Sequence, residues 1–227
     1  MSFPSSNKIV NINSKQKGNN TVIQAENGYF TIKYYKDASD FYDPKAYISF
    51  IKNVEKEVRS SEEYKLYIHY LKTEVGLDYC SVFGNITDDK ADIEMHHGPI
   101  LTLFDIVAII LEYRLKHNLP ICTFAIAEIV LREHFNNNVQ VVMLSKTAHE
   151  SVHAGKIFIS PSQAFGNINE FVNRYRDGFT QDQIDTFNKY VEIAEKNKTT
   201  DNGILQNKLT DWNKQNSVSL QGGDLDE

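Results

Sequence analysis

Four of the seven histidines in this 227-residue chain stand in two tight groups, and these constrain its fold more than any other feature. His96 and His97 are adjacent at the end of an alternating run, Ala91 to His97, while His149 and His153 are four residues apart. A spacing of four puts both side chains on one face of a helix, one turn apart. Two imidazoles so placed can share one metal ion. A third, from the strand, leaves a coordination position for water and substrate, as a catalytic metal needs. For one cation to take all three, a strand and a short helix distant in sequence must be neighbours. Successive strand side chains face opposite ways, so one member of the doublet ligates while the other points elsewhere, towards an attacking water. Gly98-Pro99 ends the strand and relaxes the alternation.

The surrounding pattern predicts alternating short strands and amphipathic helices. Thr21 to Tyr35 reads as a hairpin about Asn27-Gly28. Helices are predicted over Pro44 to Arg59 and Ser61 to Thr73, with Ser60 and Glu63 as a capping box for the second. A second hairpin is predicted from Tyr79 to Ile86, through Thr87-Asp88-Asp89-Lys90, to Ala91 to His97. Two helices follow, Thr102 to Lys116 and Thr123 to His134; then a strand, Val139 to Leu144, and a short helix, Thr147 to Ala154, stopped by Gly155. Asn167 to Tyr175 and Gln181 to Lys196 are helical in pattern, with Thr180 capping the latter. Residues 1–20 read as a flexible arm and 199–227 as a disordered tail.

Composition narrows the class. No run approaches the roughly 18 apolar residues of a membrane span; the most apolar stretch, Ile100 to Ile110, is broken by Thr102 and Asp105 and reads as a buried helix. The N-terminus has no signal-like apolar segment. Cys80 and Cys122 are far apart, which fits a reducing cytoplasm and neither a disulfide framework nor a cysteine zinc site. Net charge is −6, unfavourable for a nucleic-acid enzyme, but the charge is localised. The tail carries Asp201, Asp211, Asp224, Asp226 and Glu227 against Lys208 and Lys214. Between His96 and Ser160 five basic residues balance five acidic ones.

The order strand-His-His, then Asn138-Val139-Gln140-Val141-Val142, then His149-x-x-x-His153-Ala154-Gly155 resembles the HNH (ββα-metal) endonuclease family over Tyr79 to Lys156. The resemblance implies an α+β fold: a ββα-metal core with a two-helix insertion, an N-terminal hairpin and additional helices. The corresponding segments are 1–20, 21–77, the core at 78–160 with its insertion at 100–135, 161–198 and 199–227. It also implies metal-dependent hydrolysis of phosphodiester bonds in DNA, with RNA left open. In that reading His96, His149 and His153 hold one divalent ion (Mg, Mn, Zn or Ni). His97 is the general base, Asn138 the central asparagine, and Glu94 the acidic residue before the doublet. Residues 98–137, read as two helices, stand where the family has a short loop, and its CxxC pairs are absent.

Two rival readings remain. His149-Glu150-Ser151-Val152-His153 also fits the HExxH pattern of zinc metallopeptidases, although the helix stops at Ala154-Gly155 and only Glu170 offers a downstream ligand. A non-catalytic interaction protein, oligomerising through the insertion helices around a vestigial metal site, is the other. His69 reads as a packing residue, and His117 and His134 as residues near helix C-termini. Lys146 and Lys156 flank the helical histidines and are candidate phosphate contacts. Arg174 and Arg176 suit a basic strip or an ordinary helix surface. The small, Asn- and Lys-rich chain suits a phage or mobile element in its composition.

Overall fold

The computed structural model describes residues 20–25, 28–33 and 35–196, so the expected arm and tail lie outside the described residues apart from Asn20. The fold is α+β. Strands β1 (Asn20–Ala25) and β2 (Gly28–Lys33) form an antiparallel hairpin. Gly28, expected in the turn, pairs with Ala25 and belongs to β2.

Helix α1 (Pro44–Ser60) starts on Asp43, whose carboxylate accepts the Lys45 N–H, with proline at the first helical position, where no amide donor is needed. It buries Phe50, Ile51, Val54 and Val58. A single hydroxyl then closes α1 and opens α2 (Glu62–Thr73). Ser61 Oγ donates to the Val58 carbonyl and accepts from the Tyr64 N–H. The cap is therefore Ser61 rather than Ser60.

Residues 79–90 form turns, not the predicted strand. They are held by a Tyr79–Thr87 bridge and by the Ser81 N–H on the Met143 carbonyl. The doublet-bearing strand β3 (Ile93–His97) finds its partner far along the chain in β4 (Val141–Ser145). The pairing is antiparallel, with Glu94 opposite Leu144 and His96 opposite Val142. Between them come α3 (Leu103–Lys116), opened by a reciprocal Thr102–Asp105 capping box, and α4 (Thr123–Phe135). Residues 106–111 of α3 are all buried, which makes it the central helix of the core. Asn137 stands at φ 53°, in the left-handed region where asparagine is tolerated, and turns the chain from α4 into β4.

Every residue of β4 is buried, and its last, Ser145, is the N-cap position of α5 (Lys146–His153). With no loop between strand and helix, α5 is aimed directly by the sheet. Two more helices, α6 (Ile168–Arg174) and α7 (Gln181–Lys196), follow. Gly166 lets the chain pass tightly by β4, because a Cβ there would lie 1.9 Å from the Val139 carbonyl oxygen. One apolar cluster draws on α1 to α6 and both strands of the β3–β4 pair. Among the described residues no helix is long and apolar enough to cross a membrane.

Candidate metal centre

Alternation along β3 separates its residues by face. Ile93, Met95 and His97 are buried, whereas Glu94 and His96 are half-buried on the other side. His149 and His153, one turn apart on α5, meet His96: ring centroids are 5.0 Å apart for His96–His149, 5.1 Å for His96–His153 and 4.7 Å for His149–His153. Each ring offers one nitrogen, and the three lie within 4.8 Å of one another.

The hydrogen bonds define the tautomer of the middle ring. His149 Nδ1–H donates to Glu94 Oε2 at 2.6 Å, which leaves a lone pair on Nε2, 3.0 Å from His153 Nε2. A carboxylate behind a ligating imidazole is the usual outer shell of a metal site, fixing ring orientation and raising basicity. Burial, then the neighbouring His149 and His153, push the His96 pKa down to about 4, so this ring is neutral at ordinary pH, as a ligand must be. Metal–nitrogen bonds of about 2.0–2.1 Å in a tetrahedral site put ligand nitrogens about 3.3 Å apart, a spacing this cluster meets with small side-chain adjustment. The residues fit a metal, and three imidazoles suit zinc or nickel better than magnesium. His153 is exposed, so the cluster opens to solvent.

His97 is elsewhere. It is 5% exposed, on the core face of β3, and its Nε2 lies 2.8 Å from Nε2 of the fully buried His134. His134 Nδ1–H is committed to the Val130 carbonyl at 2.6 Å, so His97 must be the donor of the pair. Tyr64 stacks on the His97 ring at 6.1 Å. Burial, followed by the His134 charge, holds the His97 pKa well below its usual value. His97, expected as the general base, therefore lies on the opposite face of the pleated strand from the cluster and is not among the residues the fold brings to it.

Asn138 is also withdrawn from the site. It is buried, and its Nδ2 donates to Glu133 Oε2 at 2.7 Å. Glu133 accepts further bonds from Arg174 and from the Tyr175 hydroxyl at 2.9 Å, tying α4 to the last residue of α6 and the residue that follows it. Arg174 is thus bound in an ion pair instead of a basic strip. His134, expected only as a helix-end residue, is the central buried partner. Its signal lies in the Ile126, Val130, His134 spacing on the core face of α4. His69, expected to pack, is exposed. Glu150 and Glu170 are exposed and stand outside the convergent set; the third imidazole comes from upstream, at His96. Lys146 and Lys156 are exposed at either end of α5.

Residues 2–218 match the Bacteriophage G278-like virion protein family. No curated protein and no solved structure matches the chain. The resemblance to HNH endonucleases does not stand. The matching family is a different one, and two of the residues that carried the resemblance, His97 and Asn138, are buried in other bonds.

Proposed function

The chain belongs to the Bacteriophage G278-like virion protein family, and from that premise we propose a particle protein that binds one divalent transition-metal ion on His96, His149 and His153 and uses it to hydrolyse phosphodiester bonds in DNA. The family's description supports the phage-like character expected from composition, and a place in the particle is this reading's proposal beside the cytoplasmic setting expected from the sequence. The reading is carried by one observation: three imidazoles from two elements converge at a solvent-facing position, with Glu94 hydrogen-bonded to one of them. When bound, the ion supplies Lewis-acid charge stabilisation and lowers the pKa of water. The chain's own part is to hold the three rings in register. Glu94 keeps the His149 proton on Nδ1, and the β4–α5 junction sets the helix over the strand. Lys146 and Lys156, both exposed, are the candidate phosphate contacts of this reading.

A peptidase is favoured by one observation. His96 supplies upstream the third ligand that the His149-Glu150-x-x-His153 pattern lacks downstream. The experiment is to strip the protein with EDTA, titrate it with Zn²⁺, Ni²⁺, Mn²⁺ and Mg²⁺ by calorimetry, and offer each loaded form supercoiled plasmid and casein. The nuclease reading expects one tightly bound Zn²⁺ or Ni²⁺, nicked plasmid and intact casein. Cleaved casein, lost in Glu150→Gln, makes the protein a peptidase. A loaded site that cuts neither substrate makes the metal structural and ends the hydrolytic reading.

A further inference from the structure

Helix α1 carries a row of cations that the metal centre does not use. At about 100° per residue, Lys45, Lys52, Lys56 and Arg59 fall within an arc of about 60°, diametrically opposite the buried Phe50, Ile51, Val54 and Val58. All four are exposed. The acidic residues of this helix, Glu55 and Glu57, fall outside the arc on either side. Among the described residues Arg59 alone of the four forms an ion pair with an acid, a long contact of 3.9 Å to the partly exposed Glu55, which also lies in the field of Lys52. In a chain of net charge −6, this is a local surface of the opposite sign.

The row ends at the α1–α2 junction. From Lys45 to Arg59 the helix rises about 21 Å, or about six base-pair steps of 3.4 Å.

We infer that the Lys45–Lys52–Lys56–Arg59 face of α1 is a track for a nucleic-acid backbone. The inference rests on the DNA-hydrolysis reading for the identity of the polyanion. Four cations along one helix face, with one turn skipped between Lys45 and Lys52, present positive charge to a repeating phosphate backbone, and binding through them is independent of sequence and steeply salt-dependent.

The test is fluorescence anisotropy of a labelled 30-base-pair duplex with the full chain in EDTA, which leaves the DNA intact, over roughly 50–200 mM salt. Lys52→Glu with Lys56→Glu is expected to weaken binding roughly tenfold or more and to reduce the salt slope by about two. Zn²⁺ affinity and the unfolding midpoint should not change, because neither side chain touches the core or the cluster. Lys52→Gln with Lys56→Gln should give an intermediate loss. His153→Ala should bind DNA like the parent. Unchanged affinity and slope in the charge-reversed variant overturn the track, as does selective competition by polyglutamate in place of duplex, which points to a protein partner. If the parent binds DNA along this face yet never cuts plasmid, the track stands and hydrolysis falls. If the charge-reversed variant cuts plasmid like the parent, the track falls and hydrolysis stands.

Discussion

The two faces of β3 carry the same side chain to opposite ends. His96 lies half-buried beside His149 and His153, its ring part of a cluster that opens to solvent. One residue on, His97 is sealed in the core, its N–H given to His134 and its ring stacked by Tyr64. Backbone pleat accounts for the division, since neighbouring strand residues cannot share a face. An imidazole therefore acquires its role from the side it is presented on. Outward, three such rings without buried donors of their own form a ligand set. Inward, two rings satisfy one another, because a buried polar nitrogen without a partner would cost about 1–3 kcal/mol.

The contrast breaks most sharply under a pair of alanine substitutions. His96→Ala should weaken Zn²⁺ binding more than about 100-fold, beyond the range that loss of an outer-shell group causes, while changing stability in EDTA by less than about 1 kcal/mol. His97→Ala should do the reverse. It leaves a cavity and orphans His134 Nε2, a destabilisation of about 3 kcal/mol, with Zn²⁺ affinity in the folded fraction unchanged. Calorimetry and urea unfolding on the same two variants check both halves. Zn²⁺ affinity that collapses in folded His97→Ala would join the two faces into one site.

How much of the molecule is legible in the sequence depends on the range of the interaction. Local signals serve well. The helix starts at Pro44 and Thr102 and the Thr180 cap all lie within four residues of what they control, and the capping box read at Ser60 slips by only one residue, to Ser61. The shared face of His149 and His153 follows from their spacing alone. The partner of β3 is not legible. A polar turn at Thr87–Lys90 offers a nearby hairpin, whereas the true partner, the uninterrupted apolar run of β4, lies beyond two helices and advertises no register. The face on which each doublet histidine falls depends on that register, so alternation alone does not place His97. Asn138 is obscured for a related reason. Its partner Glu133, five residues earlier, is fixed by Arg174 and Tyr175, contacts that only the tertiary fold creates.

Acid should act on the inner face by the same logic. Burial pushes the His134 pKa down to about 4 from an ordinary value of about 6.5, and His97 is held low for the same reason. Between those two pH values the unfolded chain binds protons that the folded chain refuses. The stabilising contribution is thus complete above about pH 6.5 and is lost as pH falls towards 4. A tenfold change in proton affinity is worth about 1.4 kcal/mol, so His134 alone accounts for about 2–3 kcal/mol of lost stability across this window. Urea midpoints in EDTA should fall accordingly, and a His97→Phe, His134→Met double variant should flatten most of the slope. A profile as steep in that variant as in the parent would place the acid sensitivity elsewhere.

The smallest effect is expected at the outer face, where Glu94 acts on the cluster only through His149. Glu94→Gln keeps an oxygen able to accept the Nδ1–H but removes the charge that raises the basicity of the ring. Zn²⁺ affinity should fall about tenfold, and nearer 100-fold in Glu94→Ala, which frees the ring to rotate or change tautomer. Stability in EDTA should stay within about 0.5 kcal/mol for both variants, since the carboxylate is partly exposed and supports no core contact. Nitrogen chemical shifts of His149 in the metal-free protein give the decisive readout. They should report Nδ1–H in the parent and a mixture of tautomers in Glu94→Ala, a change that a merely structural carboxylate would not produce. If Glu94→Ala holds Zn²⁺ as tightly as the parent and leaves those shifts in place, His149 is oriented by α5 alone, and the outer face of β3 contributes one ligand, His96, and nothing behind it.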